Sequence, residues 1–254
     1  MNRRYVWVVA IGGCAGLASA GWLDTVVRTV TAPATNRNAV AAAGGLVSEQ
    51  DAAVALKTAL SNGVDRAVSS LGQDGGFLTN LAVRIPMPTE LQRIEVALRA
   101  AKQDRLADNF VATMNHAAEK AVVEAAPVFA SAVTAMSWQD ASGILRGAPD
   151  AATQYLRRTG GAQLEQRFLP VVREATAQTG VTAAYKALQS AAPAGITSFF
   201  GVTELDVDAY VTRKAIDGLF LLVAQEEQRI RTNPLARTTE LLRRVFGSVQ
   251  PATN

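Results

Sequence analysis

The 254-residue sequence has one cysteine, Cys14, and one histidine, His116. A single cysteine cannot form an internal disulfide or a CxxC metal site, and this one lies in a segment that we expect to be removed. Zinc and other transition-metal sites need three or four ligands, and His116 has one nearby acidic neighbour on its predicted helix, Glu119. We therefore expect no disulfide framework, no cysteine catalysis, and no bound metal or other cofactor.

Aromatic residues are also scarce, at 6% of the chain, whereas alanine occurs in runs at 41–43, 125–126 and 151–152. A β-sandwich would need more Val, Ile, Tyr and Trp, and alanine favours closely packed helices. The length is sufficient for one large core. We predict the all-α class, with one multi-helix domain.

Common catalytic motifs are missing as well: the sequence contains no GxSxG, no Walker loop and no GxGxxG. Nucleophile-elbow, P-loop and Rossmann chemistry therefore have no support. The formal net charge is +3, and removal of Arg3 and Arg4 with an N-terminal leader leaves 23 basic against 22 acidic residues. This excess is too small for a nucleic-acid-binding surface, so we expect no nucleic-acid partner.

Residues 1–20 have the three regions of a secretory signal peptide. Arg3 and Arg4 precede the apolar stretch 5–17, and the small residues 18–20 form a cleavage site before Gly21. A buried N-terminal helix is the less favoured interpretation, because three glycines within the stretch weaken a helix. We expect a periplasmic protein whose mature chain begins at Gly21.

Two other forms of export stay open. The sequence IGGC at 11–14 resembles a bacterial lipobox, in which Cys14 would be acylated and the protein anchored to the outer membrane. Arg3 and Arg4, followed by Val6 and Trp7, faintly resemble a twin-arginine signal. We expect no transmembrane span in the mature chain, so membrane contact is expected only in the lipidated form.

The stretch 206–231 predicts a central helix around which the domain is packed. Residues 219–224 are apolar on every side of the turn, and such a helix has to be surrounded by other helices. Asp206 is placed to cap the first amides, and charged residues at both ends of the stretch exclude a membrane span. The predicted domain organisation is a signal peptide (1–20), a flexible tether (21–47), a helical domain (48–247) and a disordered tail (248–254).

Other local patterns predict the boundaries of the surrounding helices. Leu56, Leu60, Val64, Val68 and Leu71 recur at helical spacing, and Gly72 stands where a left-handed helix end would be. The glycines and prolines of 72–88 predict a loop, which we expect Phe77 and Ile85 to hold against the core.

Caps and breaks are predicted from shorter signals. Thr89 with Gln92, and Ser137 with Asp140, are typical of helix N-terminal caps. Glycines at 147, 160, 161 and 180 are expected to separate short helices in the middle of the chain, one of them bent at Pro170. Asn233 and Pro234 predict the start of a last helix.

Three polar residues are candidates for an inner site. Asn115 and Glu119 are one helical turn apart beside inward-facing residues, and Glu226 directly follows the apolar run of the central helix. A buried carboxylate needs a cationic or hydrogen-bonding partner. We expect an arginine from the mid-chain or the last helix to join them, and the candidates are Arg146, Arg157 and Arg237. The predicted ligand-binding set is Asn115, Glu119, Glu226, Arg157 and Arg237.

Five segments carry a resemblance to a known family. They are GGFLTNLAVRIPMP, MNHAAEKAVVEAAP, ASGILRGAPDAATQYLRR, YVTRKAIDGLFLLVAQEEQRIRTNP and ARTTELLRRVFG, in this order. Together they resemble the bacterial domain-of-unknown-function family 4197, over roughly residues 48–247. The resemblance implies an exported helical protein of Gram-negative bacteria, with no assigned activity or catalytic residues. His116 departs from the family pattern, in which we expect arginine.

Two function classes are consistent with the sequence. The favoured one is a non-enzymatic envelope protein whose helical domain binds an apolar or amphipathic ligand or a partner protein. The alternative is a hydrolase-like enzyme that uses Glu119 and Glu226 as an acid–base pair. Carboxyl groups about 5–10 Å apart in an open cleft would favour the enzyme.

Overall fold

A computed structural model describes the chain at residues 49–179, 181–191 and 205–233. In these ranges the chain forms eight α-helices and one short 3₁₀ helix, Thr89–Leu91, and it contains no strand. The predicted all-α class is confirmed. The predicted signal peptide, the whole of the tether, the last helix and the tail lie outside the described residues, as does Arg237. The helices are α1 (Glu49–Gly72), α2 (Gln92–Ala100), α3 (Asp104–Val122), α4 (Ala125–Ala135), α5 (Trp138–Arg146), α6 (Ala151–Thr179), α7 (Val181–Ala191) and α8 (Val207–Thr232).

Helix α8 is the predicted central helix, and it contacts α1, α3 and α6. Leu219, Phe220 and Val223 are buried in the core, and the Phe220 ring meets Phe129 of α4 edge-on at 5.6 Å between centroids. The apolar run is not enclosed on every side, because Leu221 is 42% exposed. Neighbouring helices therefore cover only part of the circumference of α8. Among the described residues, no helix combines the length and hydrophobicity needed to cross a bilayer.

Helix α6 differs most from the predicted pattern, because it is one continuous helix of 29 residues that includes Gly160, Gly161 and Pro170. Gly160 faces α4, where an added Cβ would lie 3.3 Å from a methyl of Val128. The glycine thus permits close helix–helix contact instead of ending the helix. Burial of Leu164 and Phe168 beyond it supports continuity, since tertiary packing overrides a low local helix propensity.

Two predicted caps form and one does not. The Asp206 side chain accepts from the Ala209 amide at 2.9 Å, and Ser137 with Asp140 forms a complete capping box. The hydrogen bond from the Ser137 hydroxyl holds the pKa of Asp140 below its usual value. Thr89 caps nothing, because it is already the first residue of the 3₁₀ turn that follows Pro88.

The irregular segment 73–88, here called the connecting segment, joins α1 to the 3₁₀ turn. Phe77 and Ile85 are buried as predicted. Gly218 of α8 makes room for the segment, since a Cβ there would lie 2.9 Å from the Phe77 ring. The left-handed conformation predicted for Gly72 occurs instead at Gly75, whose φ is 79°. The reason is that the turn continues past the end of α1.

Candidate functional site

Asn115 on α3 binds the backbone of the connecting segment. It is fully buried, its Oδ1 accepts from the Ile85 amide at 2.8 Å, and its Nδ2 donates to the Ile85 carbonyl at 2.9 Å. The same Nδ2 donates to the Val111 carbonyl at 2.8 Å. The side chain therefore acts as a substitute strand partner for Ile85, which lies beyond the turn hydrogen bonds that end at Arg84.

Glu119, one turn further along α3, binds the other end of the connecting segment. Its Oε1 accepts from the amides of Phe77 and Leu78 at 3.0 and 3.1 Å, and the residue is buried. Its Oε2 lies 2.8 Å from Nδ1 of His116. Amide donors and a histidine, not the predicted arginine, thus surround this carboxylate.

Tyr210 of α8 supplies a third anchor for the connecting segment. Its hydroxyl donates to the Pro86 carbonyl at 3.1 Å. Burial, with the nearby Glu90 carboxylate, raises the pKa of Tyr210 above its ordinary value. Side chains from two helices, α3 and α8, therefore fix one irregular segment.

A surface pocket of about 410 Å³ opens beside Glu119 and His116. Its lining is Gly72, Asp74, Thr113, His116, Glu119 and Lys120. Asp74, which the sequence did not single out, lies at the start of the connecting segment with its Oδ1 3.6 Å from Nδ1 of His116. The turn after α1 thus brings a second carboxylate to the histidine.

Glu226 belongs to a different polar network. It lies on α8 and pairs with Arg66 of α1 at 2.8 Å and with Arg229 at 2.6 Å. Within the described part of the chain, its hydrogen-bond and ion-pair partners are different from those of Glu119, and the lining of the pocket beside Glu119 does not include Glu226. The predicted convergence of Asn115, Glu119 and Glu226 on one site is therefore wrong.

The arginines expected at this site have other positions or lie outside the described residues. Arg157 on α6 lies 3.5 Å from Asp217 and stacks over the Phe220 ring at 4.2 Å from its centroid. It joins α6 to α8 at the surface and is not a partner of Glu226. Arg146 is likewise absent from the ion pairs of Glu226, and Arg237 is not described. Among the described residues, Arg66 on α1 is the arginine of another helix that pairs with Glu226.

Glu227 is the buried carboxylate of α8, and sequence reasoning missed it by one position. Its oxygens accept from the first-turn amides of α6 at Ala152 (3.0 Å) and Thr153 (2.8 Å) and from the Thr153 hydroxyl (2.8 Å). Arg231 pairs with it at 2.9 Å and also donates to the Ile144 carbonyl at the end of α5. This pair therefore satisfies the positive end of one helix and the negative end of another.

Helical spacing contained a signal for Glu227. It lies four residues after Val223 and three before Ile230, both of which are buried, so it falls on the inward stripe of α8. Asp74 offered no comparable signal, because only the turn after α1 decides where it lies.

The comparison with protein families gives one match. A family model described as "Protein of unknown function (DUF4197)" matches residues 46–247, a range that includes all the helices described above. No curated protein and no solved structure matches the chain.

Replacement of Asn115 by alanine should destabilise the domain, with Asn109→Ala on the exposed side of the same helix as the control. Loss of the amide leaves the buried N–H and C=O of Ile85 without their partner, which costs about 1–3 kcal/mol of unfolding free energy. Urea unfolding measures the loss, and hydrogen exchange should accelerate at the Ile85 amide. Equal stabilities of the two variants would contradict the anchoring role.

Adjacent glutamates on α8 provide a second matched pair. Glu227→Ala removes the buried carboxylate that pairs with Arg231 and accepts from the first amides of α6, so it should cost about 3–5 kcal/mol. Glu226→Ala removes partly exposed ion pairs and should cost about 0–1 kcal/mol. Both variants change glutamate to alanine on the same helix, so the change in helix propensity is the same. Denaturant unfolding measures the free energy of unfolding of each, and similar losses of stability would refute the assignment of Glu227 as the structural carboxylate.

Proposed function

We propose that this chain, which belongs to the family of unknown function DUF4197, is a non-enzymatic helical binding protein of the cell envelope. Its partner is another protein, and the contact surface is the connecting segment 73–88. The observation that supports this most is the fixed geometry of that segment, which is held by Asn115, Glu119 and Tyr210.

A fixed irregular segment on a helical scaffold is well suited to recognition. Binding residues are disproportionately located on loops that a rigid scaffold positions, because such loops present side chains without a large entropic cost of ordering. In this segment the alternate residues Val83, Ile85 and Met87 face the core, whereas Leu81 is 87% exposed. An exposed leucine on an anchored backbone offers a preorganised apolar contact to a partner.

One cavity inside the bundle is too small for an apolar ligand. It lies between α1, α6 and α8, is lined by Leu56, Ala59, Leu60, Ala152, Glu227, Ile230 and Arg231, and has a volume of about 10 Å³. This is room for roughly one water molecule, whereas ligand pockets occupy roughly 300–1,000 Å³. The cavity therefore gives no support for an amphipathic ligand inside the bundle.

The alternative of a hydrolase finds no support in the positions of its proposed residues. To act as an acid–base pair, Glu119 and Glu226 would both have to face one reacting centre. Glu119 faces the connecting segment and His116, whereas Glu226 faces Arg66 and Arg229. We therefore propose binding and not catalysis.

Export is the second part of the proposal, and it depends on residues 1–20 of the sequence. The mature protein recovered from the periplasm of a Gram-negative host should have the intact mass of a chain that begins at Gly21, because residues 18–20 form the small-residue cleavage site. An acylated mature chain that begins at Cys14 would contradict this and place the protein on a membrane.

Site-specific photo-crosslinking tests the contact surface. A photoreactive residue in place of Leu81 should yield a discrete crosslinked protein in intact cells, whereas one in place of Val96, on α2 and 68% exposed, should not. Once the crosslinked protein is identified, Leu81→Asp should weaken its binding at least about tenfold, and Val96→Asp should not. No crosslink at position 81, or equal crosslinking at both positions, would refute the proposal.

A further inference from the structure

Beyond the proposed function, and independently of it, we propose that Asp74, His116 and Glu119 bind a divalent first-row transition-metal ion. The three side chains offer one imidazole nitrogen and two carboxylate oxygens, which all lie within 4.8 Å of one another. They come from two parts of the chain, the turn after α1 and helix α3. The expectation of no bound metal considered His116 with Glu119 on one helix, and the fold brings Asp74 beside them as a third ligand.

The separations between the ligand atoms suit one shared ion. Nδ1 of His116 lies 2.8 Å from Oε2 of Glu119 and 3.6 Å from Oδ1 of Asp74. Two ligands about 2.0–2.1 Å from a tetrahedral zinc ion lie about 3.4 Å apart. The observed distances are on either side of this value. The side chains of Asp74 and His116 are 95% and 38% exposed, so rotation of these two can open the 2.8 Å pair and complete the geometry without displacing the buried Glu119.

The buried ligand is already oriented for this role. Oε1 of Glu119 accepts from the amides of Phe77 and Leu78, and these two bonds fix the plane of the carboxylate. Its other oxygen, Oε2, is the one that faces His116. Such outer hydrogen bonds are what holds metal-binding carboxylates in place in proteins. The anchor of the connecting segment and the metal ligand are thus two oxygens of one side chain.

The pocket beside these groups supplies access and room for further ligands. Its volume of about 410 Å³ admits an ion together with the waters that would complete its coordination. The one lysine in the lining, Lys120, donates to the Gln178 side chain at 3.2 Å. The lining therefore contains two carboxylates and one lysine, and the ammonium group of that lysine is hydrogen-bonded to a side chain of α6.

The donor set indicates the class of metal. Mg²⁺ and Ca²⁺ prefer oxygen-only sites, whereas imidazole suits Zn²⁺, Ni²⁺ and related ions. Because His116 is at the centre of the cluster, Zn²⁺ is the appropriate probe and Mg²⁺ the negative control. His116 is also the only histidine of the chain, so no other imidazole can compete.

Calorimetric titration of the full chain without a tag tests the proposal, with Cys14→Ser in every sample to remove the only thiol. We expect one Zn²⁺ per chain and at least about tenfold weaker binding in His116→Gln and in Asp74→Asn. Asp217→Asn, another exposed aspartate, should bind Zn²⁺ as the parent does. The ring proton signals of the single histidine should shift with Zn²⁺ and not with Mg²⁺.

Three results would overturn the site. The first is no Zn²⁺ binding by the parent chain, and the second is unchanged affinity in His116→Gln. The third is equal affinity in Asp74→Asn and the parent, since two ligands would then suffice and Asp74 would have no part. Thermal melts without metal are the folding control. If the parent and both variants melt at the same temperature, a loss of binding is due to the missing ligand and not to unfolding.

Discussion

The backbone of an irregular segment buried against a helical core has to find hydrogen-bond partners, and this requirement shapes one side of the molecule. Residues 73–88 cannot use the ladder of a helix, and the described chain has no sheet to offer. Asn115 and Glu119 supply the missing donors and acceptors from α3, at Ile85, Phe77 and Leu78. Two polar side chains at adjacent turns of α3, together with Tyr210 of α8 at the Pro86 carbonyl, therefore hold the segment in place.

The same physical need recurs at the other polar centre. Helix α6 begins with amides that have no partner within the helix, and the Ile144 carbonyl near the end of α5 accepts from the Gly147 amide with a second lone pair left to satisfy. Glu227 accepts from the former and Arg231 donates to the latter, so one ion pair on α8 satisfies two helix ends of opposite polarity. In both centres a buried carboxylate accepts from two backbone amides and from side-chain donors, which explains how an alanine-rich bundle tolerates buried acidic residues.

The two buried carboxylates, Glu227 and Glu119, differ in what their oxygens contact. Glu227 has its oxygens occupied by the amides and hydroxyl of α6 and by Arg231, deep between helices. Glu119 divides its two oxygens between the connecting segment and the surface pocket, where His116 and Asp74 lie. Of these two carboxylates, Glu119 is the one with an oxygen beside a solvent-accessible histidine, and for this reason the metal site is proposed there and not at Glu227.

Local patterns in the sequence determined the all-α class, the central helix, the buried stripe of α1 and the buried aromatic of the connecting segment, because periodicity and caps act over a few residues. They also identified Asn115 and Glu119 as inward polar residues. They could not decide the continuity of α6, since whether Gly160 ends a helix or admits a neighbour depends on Val128 of another helix. Tertiary structure alone decided the partners: Arg66 for Glu226, backbone amides for Glu119 and Glu227, and Asp74 for His116. These contacts join residues distant in sequence, and no local pattern specifies which of several arginines or turns the packing will bring to a given carboxylate.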